Sequence, residues 1–190
     1  MQEFIEDVKK AVQVMRDGGI ILYPTDTIWG IGCDASNSAA VRRIFALKQR
    51  SDSKSMLSLI DSDAKLGYYV PDIPDVAYDL MDLAEKPLTI IYDKVRHMAP
   101  ELIAEDGSAG IRVTKEAFSR ELCRRLGGAV VSTSANISGQ PSAANFSEIA
   151  DVIKQGVDYV VEYRQKEQTR ALASGIIKLG SGGLVKVIRE

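Results

Sequence analysis

Two short groups of polar residues in this chain could bind a polyphosphate. The first is Lys48-Gln49-Arg50, with Lys54 close behind, and the second is the run Ser132-Thr133-Ser134-Ala135-Asn136. Guanidinium and ammonium groups bind phosphate oxygens, and hydroxyl groups add directional hydrogen bonds. Together with the upstream segment Tyr23-Pro24-Thr25-Asp26-Thr27, these residues predict an enzyme that handles a nucleotide.

The composition is that of an ordinary globular protein and limits where anions can bind. The chain has 190 residues, of which 45% are hydrophobic and 26% charged, with a net charge of −2. This balance argues against a protein built to coat nucleic acid, so any anion site must be local. Residues 42–54 carry five basic side chains against the single acid Asp52, which favours a local positive field. The alternative for Arg42 and Arg43 is that they complement a helix dipole.

Cysteine usage and hydropathy place the protein in a reducing, aqueous compartment. Cys33 and Cys123 lie far apart without a CxxC spacing, so neither a disulfide framework nor a zinc site is predicted. The acidic N-terminus lacks the apolar run of a signal peptide, and no stretch is long enough to span a bilayer. We therefore expect a cytoplasmic protein without a membrane partner.

The elements that must position these residues alternate between helix and strand. Apolar periodicity and the placement of Gly and Pro predict helices at 4–16, 39–48 (capped by Ser38), 62–69, 74–84, 116–126 and 146–154 (capped by Asn145 with Glu148). Strands are predicted at 20–23, 56–60, 88–92, 111–113, 129–131 and 157–161, followed by a C-terminal hairpin of 175–179 and 184–188. The alternation predicts an α/β fold with a mixed sheet, in a single domain over residues 1–190.

Several familiar motifs are absent or out of context. The segment Gly30–Ala35 fits a relaxed dinucleotide pattern, but it does not lie in the tight turn after a strand that this pattern requires. There is no P-loop and no G-x-S-x-G sequence. The single histidine, His97, has no partner in sequence and is expected at the surface.

What remains is a set of polar residues that follow predicted strands or the first crossover helix. Ligands of open α/β sheets bind beyond strand ends, so this clustering predicts a site. For Thr25 and Asp26 the alternative is turn chemistry after Pro24, and for residues 132–138 it is a polar loop. The members are Thr25, Asp26, Thr27, Arg50, Lys54, Arg112, Ser132, Ser134 and Asn136.

Over roughly residues 5–162 the chain resembles the YrdC-like threonylcarbamoyl-AMP synthase family. The resemblance rests on short motifs whose order and spacing are specific as a set: Tyr-Pro-Thr-Asp-Thr at 23–27, Trp29–Ala35, Lys-x-Arg at 48–50, Lys86–Thr89, Gly110–Val113 and Ser-x-Asn at 134–136 with Ser138–Pro141. It implies a YrdC-like fold, a twisted mixed sheet flanked by helices with an open concave groove. It also implies a nucleotidyltransferase that joins L-threonine, bicarbonate and ATP into threonylcarbamoyl-AMP and pyrophosphate, for threonylcarbamoyladenosine modification of tRNA with partner proteins.

The resemblance also implies a role for individual residues. Lys48 and Arg50 are the expected catalytic residues, and both are expected to face solvent in the groove. ATP would be bound by Arg50, Lys54, Ser134, Asn136 and Ser142, and threonine by Thr27, Arg112, Ser132 and Ser174. Arg112 would take the threonine carboxylate bidentately. Magnesium is expected to arrive with ATP and to use no protein side chain.

The chain departs from the family pattern at three places. Lys54-Ser55-Met56 replaces Lys-Pro-Leu, Glu162-Tyr163-Arg164 replaces Asp-Gly-Gly, and Ala173-Ser174-Gly175 replaces Pro-Ser-Thr, although Ser174 is still expected to cover the pocket. Two alternatives therefore stay open. One is a double-stranded RNA-binding protein that uses Arg42, Arg43, Lys48 and Arg50, with weak affinity for duplex RNA or tRNA given the acidic balance. The other is a family relative without synthase activity.

Overall fold

A computed structural model describes residues 4–50, 56–170, 172–180 and 184–190. The described helices are α1 (Ile5–Arg16), α2 (Ser38–Leu47), α3 (Leu66–Tyr69), α4 (Val76–Leu83), α5 (Ala117–Leu126) and α6 (Asp151–Gly156), with 3-10 turns at Asp63–Lys65, Pro100–Leu102 and Phe146–Glu148. The described strands are β1 (Ile21–Tyr23), β2 (Gly30–Gly32), β3 (Leu57–Ile60), β4 (Leu88–Tyr92), β5 (Ala109–Val113), β6 (Val130–Ser134), β7 (Tyr159–Val160), β8 (Gly175–Leu179) and β9 (Val185–Arg189).

The strands form one mixed sheet in the order β7-β1-β2-β6-β3-β5-β4-β8-β9. Three pairs are parallel, β1 with β7, β3 with β5 and β4 with β8, and the other pairs are antiparallel. The predicted α/β class with a mixed sheet is confirmed. The order places β5 and β6 on either side of β3, so polar residues on these two central strands can reach a common site.

The helices cover the sheet through the apolar faces that the sequence predicts. In α1 the buried residues are Val8, Ala11, Val12 and Met15, and this face packs against α5. The side chain of Asn37, not that of Ser38, caps α2 by accepting a hydrogen bond from the Ala40 amide at 3.0 Å. The predicted Ser38 cap is wrong because the Ser38 hydroxyl hydrogen-bonds Glu101 at 2.5 Å instead. No helix in the described ranges is long and apolar enough to cross a membrane.

Strand β2 was not predicted from the sequence. Its three residues contain two glycines, which have low strand propensity. The structure shows why glycine is needed there. A Cβ at Gly32 would lie 2.5 Å from the Val131 carbonyl oxygen and 2.7 Å from the Tyr23 ring. Glycine therefore allows β2 to fit between β1 and β6 and sets the position of the residues that precede it.

The predicted helix at 146–154 is broken into two pieces. Asn145 caps the first, because its side chain accepts from the Glu148 amide at 3.3 Å, while Glu148 accepts from the Ala144 amide at 3.0 Å. Ile149 and Ala150 then adopt extended conformations before α6 begins. The Asn145 cap is thus present, but Glu148 accepts from the amide of Ala144 rather than from that of the cap residue, and the cap starts a 3-10 turn rather than one continuous helix.

Candidate active site

A cavity of about 240 Å³ lies over one face of the central strands, since its lining residues alternate along β4 and β5. It brings together seven of the residues that the sequence predicted for the site: Thr27, Arg50, Arg112, Ser132, Ser134, Ser142 and Ser174. Strand β5 supplies Arg112, and β6 supplies Ser132 and Ser134. The alternative of a polar loop is wrong for residues 132–134, since they continue the strand that was predicted to end at Val131. Ser132 and Ser134 of β6 therefore line the same cavity as Arg112 of β5, with β3 between the two strands.

Arg112 is the most deeply buried cation of the cavity wall, with only 2% of its surface exposed. Its Nη2 atom lies 2.9 Å from Oδ1 of Asp26. Its Nε atom has no hydrogen-bond partner among the described residues. Burial lowers the pKa of Arg112, an effect that the Asp26 carboxylate opposes, and burial raises the pKa of Asp26 in turn. A buried guanidinium with a donor to spare is suited to bind a carboxylate or a phosphate.

The hydroxyl of Thr27 is oriented by Thr25. The Thr25 hydroxyl donates to the Ile28 carbonyl at 2.7 Å and accepts from the Thr27 amide at 3.0 Å. The two threonine hydroxyls lie 3.0 Å apart. A hydroxyl has one proton, and that of Thr25 is already donated, so Thr27 must be the donor in this contact. The Thr27 oxygen can then only accept from a ligand, which suits an N–H or O–H group of the ligand.

Ser174 is held at the cavity by two residues that the sequence analysis did not identify. Its hydroxyl lies 3.0 Å from that of Thr89 on β4. Arg189 on β9 donates from Nε to the Ser174 carbonyl at 2.8 Å, and both Thr89 and Arg189 line the cavity. Thr89 belongs to one of the family motifs, whereas Arg189 stands in a strand of otherwise unremarkable sequence. Only the pairing of β8 with β4 and β9 brings these residues together.

Lys48 does not face solvent, and that prediction is wrong. Lys48 is 1% exposed and does not line the cavity. Its ammonium group donates to the carbonyl oxygens of Ser134 at 2.5 Å and Asn136 at 2.7 Å. Burial, with a smaller contribution from Arg50, lowers the pKa of Lys48 to about 8. The side chain therefore supports the backbone that follows β6.

Asn136 also serves the loop after β6 rather than the cavity wall. Its Nδ2 atom donates to the carbonyl oxygens of Ile137 at 3.0 Å and Gln140 at 2.7 Å, which uses both amide protons. Arg50, by contrast, lines the cavity two residues beyond the end cap of α2, and burial lowers its pKa. Lys54 and Ser55 lie outside the described residues, so the ATP-binding role of Lys54 stays a prediction.

Two of the cations proposed for RNA binding have carboxylate partners. Arg42 forms an ion pair with Glu101, and Arg43 lies 2.9 Å from Asp158. His97 is exposed, as the sequence predicted, and its ring stacks on that of Tyr68 with the ring centroids 4.2 Å apart. The described part of the chain contains no group of three or more His, Cys, Asp or Glu side chains that could hold a metal.

Two curated relatives of this chain carry the name threonylcarbamoyl-AMP synthase. A threonylcarbamoyl-AMP synthase of Stenotrophomonas maltophilia is 35% identical over 156 residues, covering 80% of this chain and 83% of the relative. That of Pseudoalteromonas translucida is 31% identical over 158 residues, covering 82% and 84%. These matches extend over most of both chains.

Solved structures share the fold. A variant of P. abyssi Sua5 superposes with a TM-score of 0.86 at 23% identity, and the P. abyssi Sua5 complex with L-threonine with a TM-score of 0.84 at 22% identity. The matches cover 99% and 96% of this chain, which spans only 58% and 53% of those two chains. E. coli YciO matches with a TM-score of 0.83 at 25% identity, covering 96% of this chain and 88% of its own. The model of the Sua5/YciO/YrdC family, described as telomere recombination, matches residues 13–190, and this chain belongs to that family.

Proposed function

We propose that this protein is a threonylcarbamoyl-AMP synthase and that one domain over residues 1–190 carries the whole site. The amine of L-threonine and bicarbonate would give a carbamate and water. A carbamate oxygen would then attack the α-phosphate of ATP, forming threonylcarbamoyl-AMP and releasing pyrophosphate. The names of the curated relatives support this assignment. The observation that carries it is the buried Arg112 in the wall of a cavity lined by hydroxyls.

The residues assigned to L-threonine, here called the threonine set, are Thr27, Arg112, Ser132 and Ser174. Arg112 would bind the carboxylate, because a guanidinium has five N–H donors and the ion pair with Asp26 uses only some of them. The Thr27 oxygen would accept from the substrate nitrogen or hydroxyl, the role that its contact with Thr25 leaves open. Ser132 and Ser174 would complete the pocket around the amino acid. P. abyssi Sua5, which shares the fold, has been solved in complex with L-threonine.

The residues assigned to ATP that line the cavity, here called the phosphate set, are Arg50, Ser134 and Ser142. Adenylate formation needs charge neutralisation and in-line positioning more than a protein nucleophile. Arg50 would supply charge, and the two hydroxyls would supply directional bonds. Lys48 and Asn136 would act through the loop that they hold, not by touching the nucleotide.

Magnesium fits this proposal as part of the substrate. Asp26, a carboxylate in contact with a residue of the described cavity wall, is already paired with Arg112. An ion bound to the ATP phosphates would neutralise charge on the leaving pyrophosphate, and Arg50 would share that task. Other proteins would then transfer the threonylcarbamoyl group to a tRNA adenosine.

Pyrophosphate release from ATP tests the proposal. We expect release that requires both L-threonine and bicarbonate, with little turnover of valine. A site that hydrogen-bonds a substrate hydroxyl leaves its own groups unpaired when valine binds, so the preference for threonine should reach at least about a hundredfold. Release that is independent of threonine or bicarbonate would contradict the proposal. The carboxylate partners of Arg42 and Arg43 give the RNA-binding alternative no support.

A further inference from the structure

Arg164 adopts a backbone conformation that an arginine seldom occupies. Its φ angle is +66°, in the left-handed region where a Cβ is crowded. Such conformations persist only where the surrounding structure determines them strongly, and they concentrate near functional sites. The contacts of the Arg164 side chain show which other residues depend on its position.

The guanidinium of Arg164 links three parts of the chain. Nη1 donates to the carbonyl oxygen of Thr25 at 3.1 Å and lies 3.8 Å from the carboxylate of Glu116. Nε donates to Glu167 at 2.8 Å. The side chain is 25% exposed, so solvent screens these charges only in part. The contact with Thr25 is the one that reaches toward the cavity.

The residues around Arg164 are fixed independently of it. The Tyr163 amide donates to the Asp7 carboxylate at 2.8 Å, and the Tyr163 ring stacks on Phe118 with centroids 5.8 Å apart. Glu116 caps α5 by accepting from the amides of Phe118 at 3.0 Å and Ser119 at 2.7 Å. Arg164 is therefore attached to a firm frame made by α1 and α5.

The turn at residues 24–27 receives donors from this frame on two successive carbonyls. The Ser119 hydroxyl donates to the Pro24 carbonyl at 3.3 Å, and Arg164 donates to the Thr25 carbonyl. Thr25 is buried, and its hydroxyl orients both the amide and the hydroxyl of Thr27. A shift of the Thr25 backbone would thus turn the Thr27 oxygen away from the cavity.

We propose that Arg164 is a positioning residue that holds the Thr25–Thr27 turn and so sets the affinity for the amino-acid substrate without affecting ATP. This inference rests on the proposed function for the identity of that substrate. Arg164 does not line the main cavity. Its effect passes through the Thr25 carbonyl to the Thr27 hydroxyl.

The test compares Arg164→Gly, Arg164→Lys and the control Arg170→Ala. Glycine accepts the positive φ angle without crowding, so Arg164→Gly removes the side-chain contacts while the backbone stays relaxed. We expect the KM for threonine to rise about tenfold in Arg164→Gly, with the KM for ATP within about twofold of wild type. Lysine should restore part of the loss. Arg170 is 79% exposed and lies 3.8 Å from Glu148, so its removal should change neither constant.

Hydrogen exchange of the peptide that contains residues 24–28 gives a second readout that needs no catalysis. We expect faster exchange in Arg164→Gly than in wild type, with the exchange of α1 and α5 unchanged. Equal threonine KM values in wild type and Arg164→Gly, or unchanged exchange at 24–28, would overturn this inference while leaving the synthase proposal intact. Wild-type protein that releases no pyrophosphate with threonine would instead refute the synthase proposal, and the exchange experiment would still decide the role of Arg164.

Discussion

Part of the threonine set and part of the phosphate set are held in place by different means. Ser134 of the phosphate set stands on β6, and Thr27 and Ser174 of the threonine set lie outside the strands. Arg112 and Ser132 stand on β5 and β6, central strands with a neighbour on each side. Arg50 and Ser142 lie outside the strands, and the loop that begins at Asn136 depends on the ammonium group of Lys48. The hydrogen bonds of the sheet position residues on paired strands, whereas residues on loops depend on hydrogen bonds from side chains such as that of Lys48. We therefore expect substitutions of Arg112 and of Arg50 to affect different substrates.

The largest effect is expected at Arg112. Arg112→Ala removes the proposed carboxylate contact and leaves the Asp26 carboxylate, mostly buried, without its partner. We expect kcat/KM for threonine to fall by at least about a hundredfold, and the free energy of unfolding to fall by about 3 kcal/mol, the scale for breaking a buried ion pair. Steady-state kinetics and urea unfolding measure the two effects.

The double variant Arg112→Met with Asp26→Asn separates stability from binding. Removing both charges should recover much of the stability but none of the threonine affinity. Recovery of wild-type kinetics in the double variant would show that Arg112 has only a structural role and that the threonine set is assigned wrongly.

Arg50→Ala should affect the other substrate. Removing one charge-assisted contact to phosphate should raise the KM for ATP or lower kcat by about tenfold to a hundredfold, while threonine binding is retained. The control is Arg42→Ala on the adjacent helix, whose ion pair with Glu101 is at the surface and contributes little. Equal effects of the two substitutions would contradict the assignment of Arg50 to phosphate.

Lys48 should act on the phosphate set through the loop that it braces. Lys48→Met keeps the length and apolar stem of the side chain but leaves the Ser134 and Asn136 carbonyls without their donor. We expect about a tenfold loss in kcat/KM for ATP, with a smaller change for threonine. Lys48→Arg retains a donor and should recover part of the loss. A loss that falls equally on both substrates would show that Lys48 supports the whole cavity.

The last effect concerns the pH dependence of stability. Burial lowers the pKa of Lys48 to about 8 from its ordinary value of 10.5. Between pH 8 and pH 10.5, Lys48 is protonated in the unfolded chain and deprotonated in the folded protein. The contribution of Lys48 to the free energy of unfolding therefore rises as the pH increases from about 8 to 10.5. Below pH 8 the residue instead carries the cost of burying its charge. Comparing urea unfolding of wild type and Lys48→Met across this range isolates the contribution, and a pH-independent difference would argue against the shift.

The sequence predicted the strongly periodic elements well, and it failed where tertiary contacts decide. Helices α1 and α5 follow from the spacing of their apolar residues and the glycines that end them. Strand β2 escaped prediction because Gly32 is selected by close backbone approach, which leaves no local pattern. Ser38 competes with Asn37 for the helix cap, and only the position of Glu101 decides between them.

The residues of the site also divide into those that the sequence could predict and those that only tertiary contacts reveal. Thr27, Arg50, Arg112 and the serines could be identified because they lie in, next to or in place of motifs of the family that the chain resembles. The burial of Lys48 could not, since a lysine beside an arginine after a helix looks like a surface pair until the loop after β6 folds over it. Arg189 and Thr89 reach the cavity through strand pairing across long stretches of chain. Such contacts have no signature in the neighbouring residues.

The cavity joins Thr27 near the beginning of the described chain to Arg189 near its end. A site assembled from such distant segments has a high contact order, and it can form only when the slow, non-local pairing of the sheet is complete. A substrate would consequently have no affinity for partly folded chains and would stabilise the finished protein alone by mass action. Binding of substrate in the cavity would thus increase the fraction of molecules in which β9 has joined the sheet, and these molecules would be protected from proteolysis.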